Sequence, residues 1–159
     1  MSDDELRQLK AQVQRLNDIE DIKQLKALYF ECADGQDWER YGNEVITEDF
    51  YFDSDAEPLQ GRDAVIEMVS TSLKGATTVH HGHTPRIEID GDTAIGTWHM
   101  ADYVTIPLPN GEAYVIRGYG YYHETYRRTP DGWRISSSRM QRIRVDSEGA
   151  DFAMADTES

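Results

Sequence analysis

From Leu6 to Leu28 apolar residues recur at every third or fourth position: Leu6, Leu9, Val13, Leu16, Ile19, Ile22, Leu25 and Leu28. This spacing sets them on one face of a helix, with Glu20, Asp21, Lys23, Gln24 and Lys26 on much of the other. The repeats are too few and too irregular for a coiled coil, so the pattern predicts one or two helices packed on a sheet. Gly35 is the expected terminator because it tolerates left-handed backbone. A shorter helix is predicted over 38–45, and "EDFYFDSD" reads as a strand running into a turn. A further helix is predicted over 63–73, with Ala64, Val65, Met68, Val69 and Leu73 facing inward.

Beyond Thr78 the pattern changes to alternation. Turn pairs are expected at Asp90-Gly91, Asn110-Gly111 and Asp131-Gly132. Their spacing predicts four long consecutive antiparallel strands. Helices followed by a meander give an α+β fold, with N-terminal helices packed on a curved, mostly antiparallel sheet and a pocket between the layers.

Length adds a domain count. The 159 residues suit one domain over 1–145, followed by an acidic stretch over 146–159 that reads as a frayed tail. No run approaches the roughly 20 apolar residues that span a bilayer. The polar start "MSDDELRQLK" does not resemble a secretory leader, so a cytoplasmic location is expected and no membrane partner. A single cysteine, Cys32, excludes an internal disulfide or a cysteine-rich zinc site. The net charge of −14 argues against a nucleic-acid partner, although Arg134, Arg139, Arg142 and Arg144 could together hold one small anion. No glycine-rich turn joins an early strand to a helix, so no nucleotide cofactor is expected.

Two places carry candidate chemistry. Asp34, in "LYFECADGQDWERY", ends an apolar helical stripe that includes Tyr29. A carboxylate there is either a simple helix closure or, if turned toward the sheet, a buried group that requires a partner. The second place is "TTVHHGHTPRIEI", where His80, His81 and His83 make up three of the five histidines. Strict alternation would put His81 and His83 in phase with Ile87 and Ile89, on the inner face. A bulge or bend around Gly82 or Pro85 would reverse that and turn His80 inward.

Metal binding is the weaker reading of the cluster, because no HExxH-like ligand spacing accompanies it. A structural histidine and a general base are both compatible with it. A base gains strength if Asp34 holds its other nitrogen. Tyr51, Tyr103, Tyr121 and Arg142 are then candidate donors to a developing negative charge. Nine tyrosines and three tryptophans suit a ring-bearing ligand. Serines 136–138 lack a nucleophile elbow, and Glu48 and Asp49 lack the spacing of a glycosidase pair.

The segments "LNDIEDIKQLKALYFECADGQDWERY", "VHHGHTPRIEI" and "GWRISSSRMQRIRV" together resemble the SnoaL-like part of the nuclear-transport-factor-2-like (NTF2-like) superfamily. Within it the chain looks most like the bile-acid 7α-dehydratases, and it shares a plan with scytalone dehydratases and hexachlorocyclohexane dehydrochlorinases. The resemblance covers about residues 15–145 and implies an NTF2-like cone and, commonly, a homotrimer. It also implies that the family's catalytic tyrosine, aspartate, histidine and arginine fall on Tyr29, Asp34, His80 and Arg142. His80 is selected because the following "GHTP" sets the register, with His81 and His83 as neighbouring candidates. The chain departs from the bile-acid enzymes at His81, where they carry methionine, and in its extra Arg139 and Arg144.

The expected activity is a cofactor-free, metal-free dehydration of a hydroxylated, carbonyl-activated cyclic or steroid-like molecule. That molecule could be anionic or CoA-linked. Two other readings use the same scaffold: an isomerase with the same base, and a binding or assembly domain without chemistry. Tyr51, Tyr103, Tyr121, His81 and His83 are the expected contacts to the substrate.

Overall fold

The computed structural model describes residues 1–54 and 57–149. Helix α1 spans Asp3–Gly35 and is started by a reciprocal cap: Ser2 Oγ accepts from the Glu5 amide, and the Glu5 carboxylate accepts from the Ser2 amide. Its apolar face is divided. Ile22, Leu25, Tyr29, Cys32 and Ala33 are buried, whereas Leu6, Leu9, Val13 and Leu16 are exposed because the first turns project past the sheet.

Two expectations for this helix are corrected. Lys26, assigned to the polar face, is fully buried: steps of four, three and four from Ile22 through Lys26 and Tyr29 to Ala33 put it in the inward stripe. The left-handed residue that ends the helix is Gln36, with φ of 53°, and not Gly35. Its side-chain amide donates to the carbonyls of Leu73 and Ala76, which ties the helix end to the segment before the third strand and offsets the strain.

A short helix α2 (Trp38–Arg40) and a π-helical turn (Tyr41–Val45) lead into strand β1 (Ile46–Asp53). Strand β2 (Leu59–Gln60) and helix α3 (Arg62–Ser72) follow. Val65 is the buried residue of α3; Ile66 is half-buried, whereas Ala64, expected inside, is exposed. Strands β3 (Thr77–Asp90), β4 (Thr93–Pro107), β5 (Ala113–Thr129) and β6 (Gly132–Glu148) form the meander. Strand β6 thus includes Asp146, Ser147 and Glu148 from the stretch read as a tail, and residues 150–159 lie outside the described residues.

The sheet is α+β in its setting and mostly antiparallel, in the order β2-β1-β6-β5-β4-β3, with β1 parallel to β6. Ile22, Phe50, Tyr126, Trp133 and Ile135 build the core between its inner face and the helices. Among the described residues no helix is long and apolar enough to cross a membrane.

Bulges curve the sheet and decide which side chains face the helices. Strand β3 pairs His83 with His99 but Arg86 with Thr97, so one extra residue enters β3, where Thr84 has φ of 41°. Before the bulge Thr78, His80 and Gly82 face inward; after it Pro85, Ile87 and Ile89 do. Gly82 marks a close approach, since a Cβ there would lie 2.7 Å from the Phe30 ring. Strand β6 carries extra residues at Ser136 and Ile143, which add to the curvature.

Candidate active site

The end of α1 meets the start of β3 across the space between the helices and the sheet. His80 Nδ1 lies 2.6 Å from Asp34 Oδ1. The same carboxylate accepts from the His80 amide at 3.0 Å through Oδ2 and from Thr78 Oγ1 at 3.0 Å through Oδ1. Desolvation alone would raise the Asp34 pKa. The bonds from His80 and Thr78 outweigh it, and the carboxyl is held below its ordinary range. A carboxylate at Nδ1 places the proton on that nitrogen and leaves the Nε2 lone pair as the base.

His80 borders a cavity of about 220 Å³. Tyr29, Trp38, Tyr41, Phe52, Val104 and Tyr122 supply most of an aromatic and aliphatic wall, with Met68, Val69 and Leu73 from the α3 side. The polar lining comes mainly from His80, Asp102 and Arg142. Tyr29 is buried, and desolvation, followed by the negative charge of Glu124, pushes its pKa well above that of a free phenol. It therefore stays protonated and able to donate.

Beneath this wall lies a buried ion pair absent from the sequence reading. Lys26 Nζ is 2.6 Å from Glu124 Oε1, and neither side chain has any exposure. The ammonium sits 3.7 Å from the centre of the Tyr29 ring and 3.9 Å from that of Tyr122. Glu124 also accepts from the hydroxyls of Tyr126 and Ser138, and Trp98 Nε1 donates to Tyr126. The pair fixes both rings at the floor of the cavity. The signal available in the sequence was a lysine in phase with Ile22 and Tyr29.

The expected residues divide cleanly. Tyr29, His80 and Arg142 line the cavity, and Asp34 holds His80 from behind. His81 and His83 do not line it; they stand on the outer face, with ring centres 5.7 Å apart, because the bulge comes after His83 and not before it. Tyr103 packs against His81 and Tyr121 against His99 on that same outer face, so neither lines the cavity. Tyr51 is exposed, and its neighbour Phe52 takes the inward position. Asp102, overlooked in the sequence, is 3% exposed and grips Arg142 through both oxygens, at 2.8 and 2.6 Å.

Residues 14–139 match the family model of the SnoaL-like domain. Among solved structures, the chain is similar to an NTF2-like protein from Novosphingobium aromaticivorans, with a TM-score of 0.66, 26% identity, and 87% of this chain and 90% of that one covered. A candidate scytalone dehydratase from the same organism gives a TM-score of 0.74 at 16% identity, covering 86% and 91%. A type 2 hexachlorocyclohexane dehydrochlorinase, LinA, gives 0.73 at 15% identity, covering 87% and 93%. The last two likenesses bear on the fold.

Proposed function

The chain belongs to the SnoaL-like domain family, and from that premise we propose that it is a cofactor-independent dehydratase acting on a hydroxylated, carbonyl-bearing ring compound. One observation carries the reading: an imidazole oriented by a carboxylate borders a cavity of about 220 Å³ lined mostly by aromatic and aliphatic side chains. In this mechanism Asp34 holds the Nδ1 proton of His80, and Nε2 removes a proton from the carbon next to the carbonyl. The electron pair moves onto the carbonyl oxygen, giving an enolate that Tyr29 stabilises as a hydrogen-bond donor. The enolate then collapses, the bond to the hydroxyl breaks, and the proton carried by His80 leaves with that oxygen as water.

A fold shared with a candidate scytalone dehydratase and a dehydrochlorinase is compatible with this class, while the bile-acid likeness rests on sequence segments alone. The substrate is therefore described by its chemistry. A second reading, isomerisation, is favoured by Tyr29, since a phenol kept protonated by burial is suited to holding an enolate while the proton returns elsewhere. Mass spectrometry on a panel of cyclic β-hydroxy ketones separates the two. A product lighter by one water supports dehydration, a product of unchanged mass supports isomerisation, and tight binding without any product supports a binding domain. The proposal extends to self-association through the outer sheet face, where Val79, paired with Tyr103, and Ile95 are exposed. Light scattering that gives a monomer at micromolar concentration would remove that part.

A further inference from the structure

The inner face of the sheet carries a row of aligned residues that runs along one side of the cavity. His80 on β3 pairs with Asp102 on β4, and Asp102 pairs with Gly118 on β5. Arg142 on β6 pairs with Gly120, one inward position along β5. Strand β5 therefore separates Asp102 from Arg142, and the two side chains meet across it. They can do so because the inward position of β5 between them is Gly118. A Cβ on Gly118 would collide with the Arg142 guanidinium and with the Asp102 carboxylate.

This arrangement settles the charge of the lining. Among the described lining residues the formally charged groups are Asp102 and Arg142, with His80 the other titratable group beyond the tyrosines. The guanidinium is matched by a bidentate carboxylate that is itself 3% exposed. Lys26, the nearest other cation beneath the wall, is sealed off and matched by Glu124. Asp34 contributes one more negative charge directly behind His80. A carboxylate entering this cavity would meet no cation that is not already engaged, inside a chain whose net charge is −14. Desolvating such an anion without a matching charge is costly.

We propose that the cavity selects an uncharged ring compound over its carboxylate analogue, and that Asp102 sets this selectivity by occupying Arg142. The inference rests on the reading of this cavity as the substrate site, and it narrows the sequence expectation of an anionic ligand. Asp102 is here a specificity-determining residue and takes no part in proton transfer. Discrimination of this kind works against the wrong ligand as much as for the right one.

The test is equilibrium binding, measured by calorimetry on the full chain at neutral pH, with 2-naphthol and 2-naphthoate as a matched pair. The wild type is expected to bind the naphthol at least about tenfold more tightly than the naphthoate. In Asp102→Asn, which keeps the shape and removes the charge, the naphthoate should gain about tenfold while the naphthol changes less than about threefold. A double variant, Asp102→Asn with Arg142→Gln, carries neither charge and should again prefer the naphthol. If the single variant does not fold, the wild-type ratio and the double variant still decide. Equal or tighter binding of naphthoate by the wild type overturns the proposal. So does a folded Asp102→Asn without the gain, a double variant that favours the naphthoate, or a wild type that binds neither probe at millimolar concentration. Turnover does not enter these measurements. A failed dehydratase reading shows instead as an absence of product from the hydroxy-ketone panel while the binding ratio holds.

Discussion

The two faces of strands β3 to β6 are built from the same stretches of chain and have opposite characters. On the inner face ionisable groups are few and matched: His80 with Asp34, Arg142 with Asp102, Lys26 with Glu124. On the outer face His81, His83 and His99 stand beside Tyr103 and Tyr121 in edge and tilted ring contacts. Low dielectric explains the difference. Inside, an unmatched charge would cost several kcal/mol, so each is tied to a partner; outside, water does the matching. The inner face can therefore hold a tautomer and a geometry, as acid-base chemistry requires.

The sharpest way to break this comparison is to exchange neighbours across it. His80→Ala should lower turnover by about a hundred- to ten-thousand-fold. His81→Ala, one residue away on the outer face, should leave kcat/KM within about threefold of the wild type. Steady-state kinetics of the pair would refute the assignment if both variants lost activity equally.

The next effect is on stability. Lys26→Ala strands Glu124 in the core and should cost about 3–5 kcal/mol, read from chemical denaturation. Arg127→Ala, which breaks an exposed pair with Asp49, should cost no more than about 1 kcal/mol. Similar losses in the two variants would mean that the buried pair is not distinguished by its surroundings.

Gly82→Ala should destabilise by about 1–3 kcal/mol, because the new Cβ would press on Phe30 and Trp98. A neutral result would show that the helix moves freely relative to β3.

The smallest effect concerns pH. Asp34 has its pKa lowered on folding, so its bonds stabilise the fold above its unfolded value of about 3.9, and that contribution disappears as pH falls through the lower folded value. The melting temperature of the wild type should therefore exceed that of Asp34→Asn at pH 6, with the gap closing below about pH 4. A gap that persists in stronger acid would assign the stabilisation to packing.

Much of this was legible in the sequence because the signals are local. The apolar spacing around Ile22 and Leu25, the glycines near each hairpin and the alternation in β5 each act within a few residues. Asp34 and His80 could be named from a family resemblance, and the hydrogen bonds place them together. Three features were not legible. Alternation counted back from Ile87 put His81 inside, because a one-residue bulge at Thr84 and Pro85 shifts the phase without any period of its own. The sequence places Lys26 on the polar face because nothing local marks its partner, which lies 98 residues away. Tyr103 and Tyr121 qualify as donors by residue type, which carries no direction, and both stand on the outer face.

The sequence by itself determined the long helix, the four-strand meander, their order and the fold class, and narrowed the candidate base to Asp34 and a three-histidine cluster. Only the tertiary structure decided which face each strand residue occupies, that Asp102 reaches Arg142 over Gly118, and that a lysine lies sealed beneath the aromatic floor. The physical reason is range. Backbone preferences and periodicity are set by neighbours along the chain, whereas the state of a charged group is set by whatever the fold brings within a few ångströms of it.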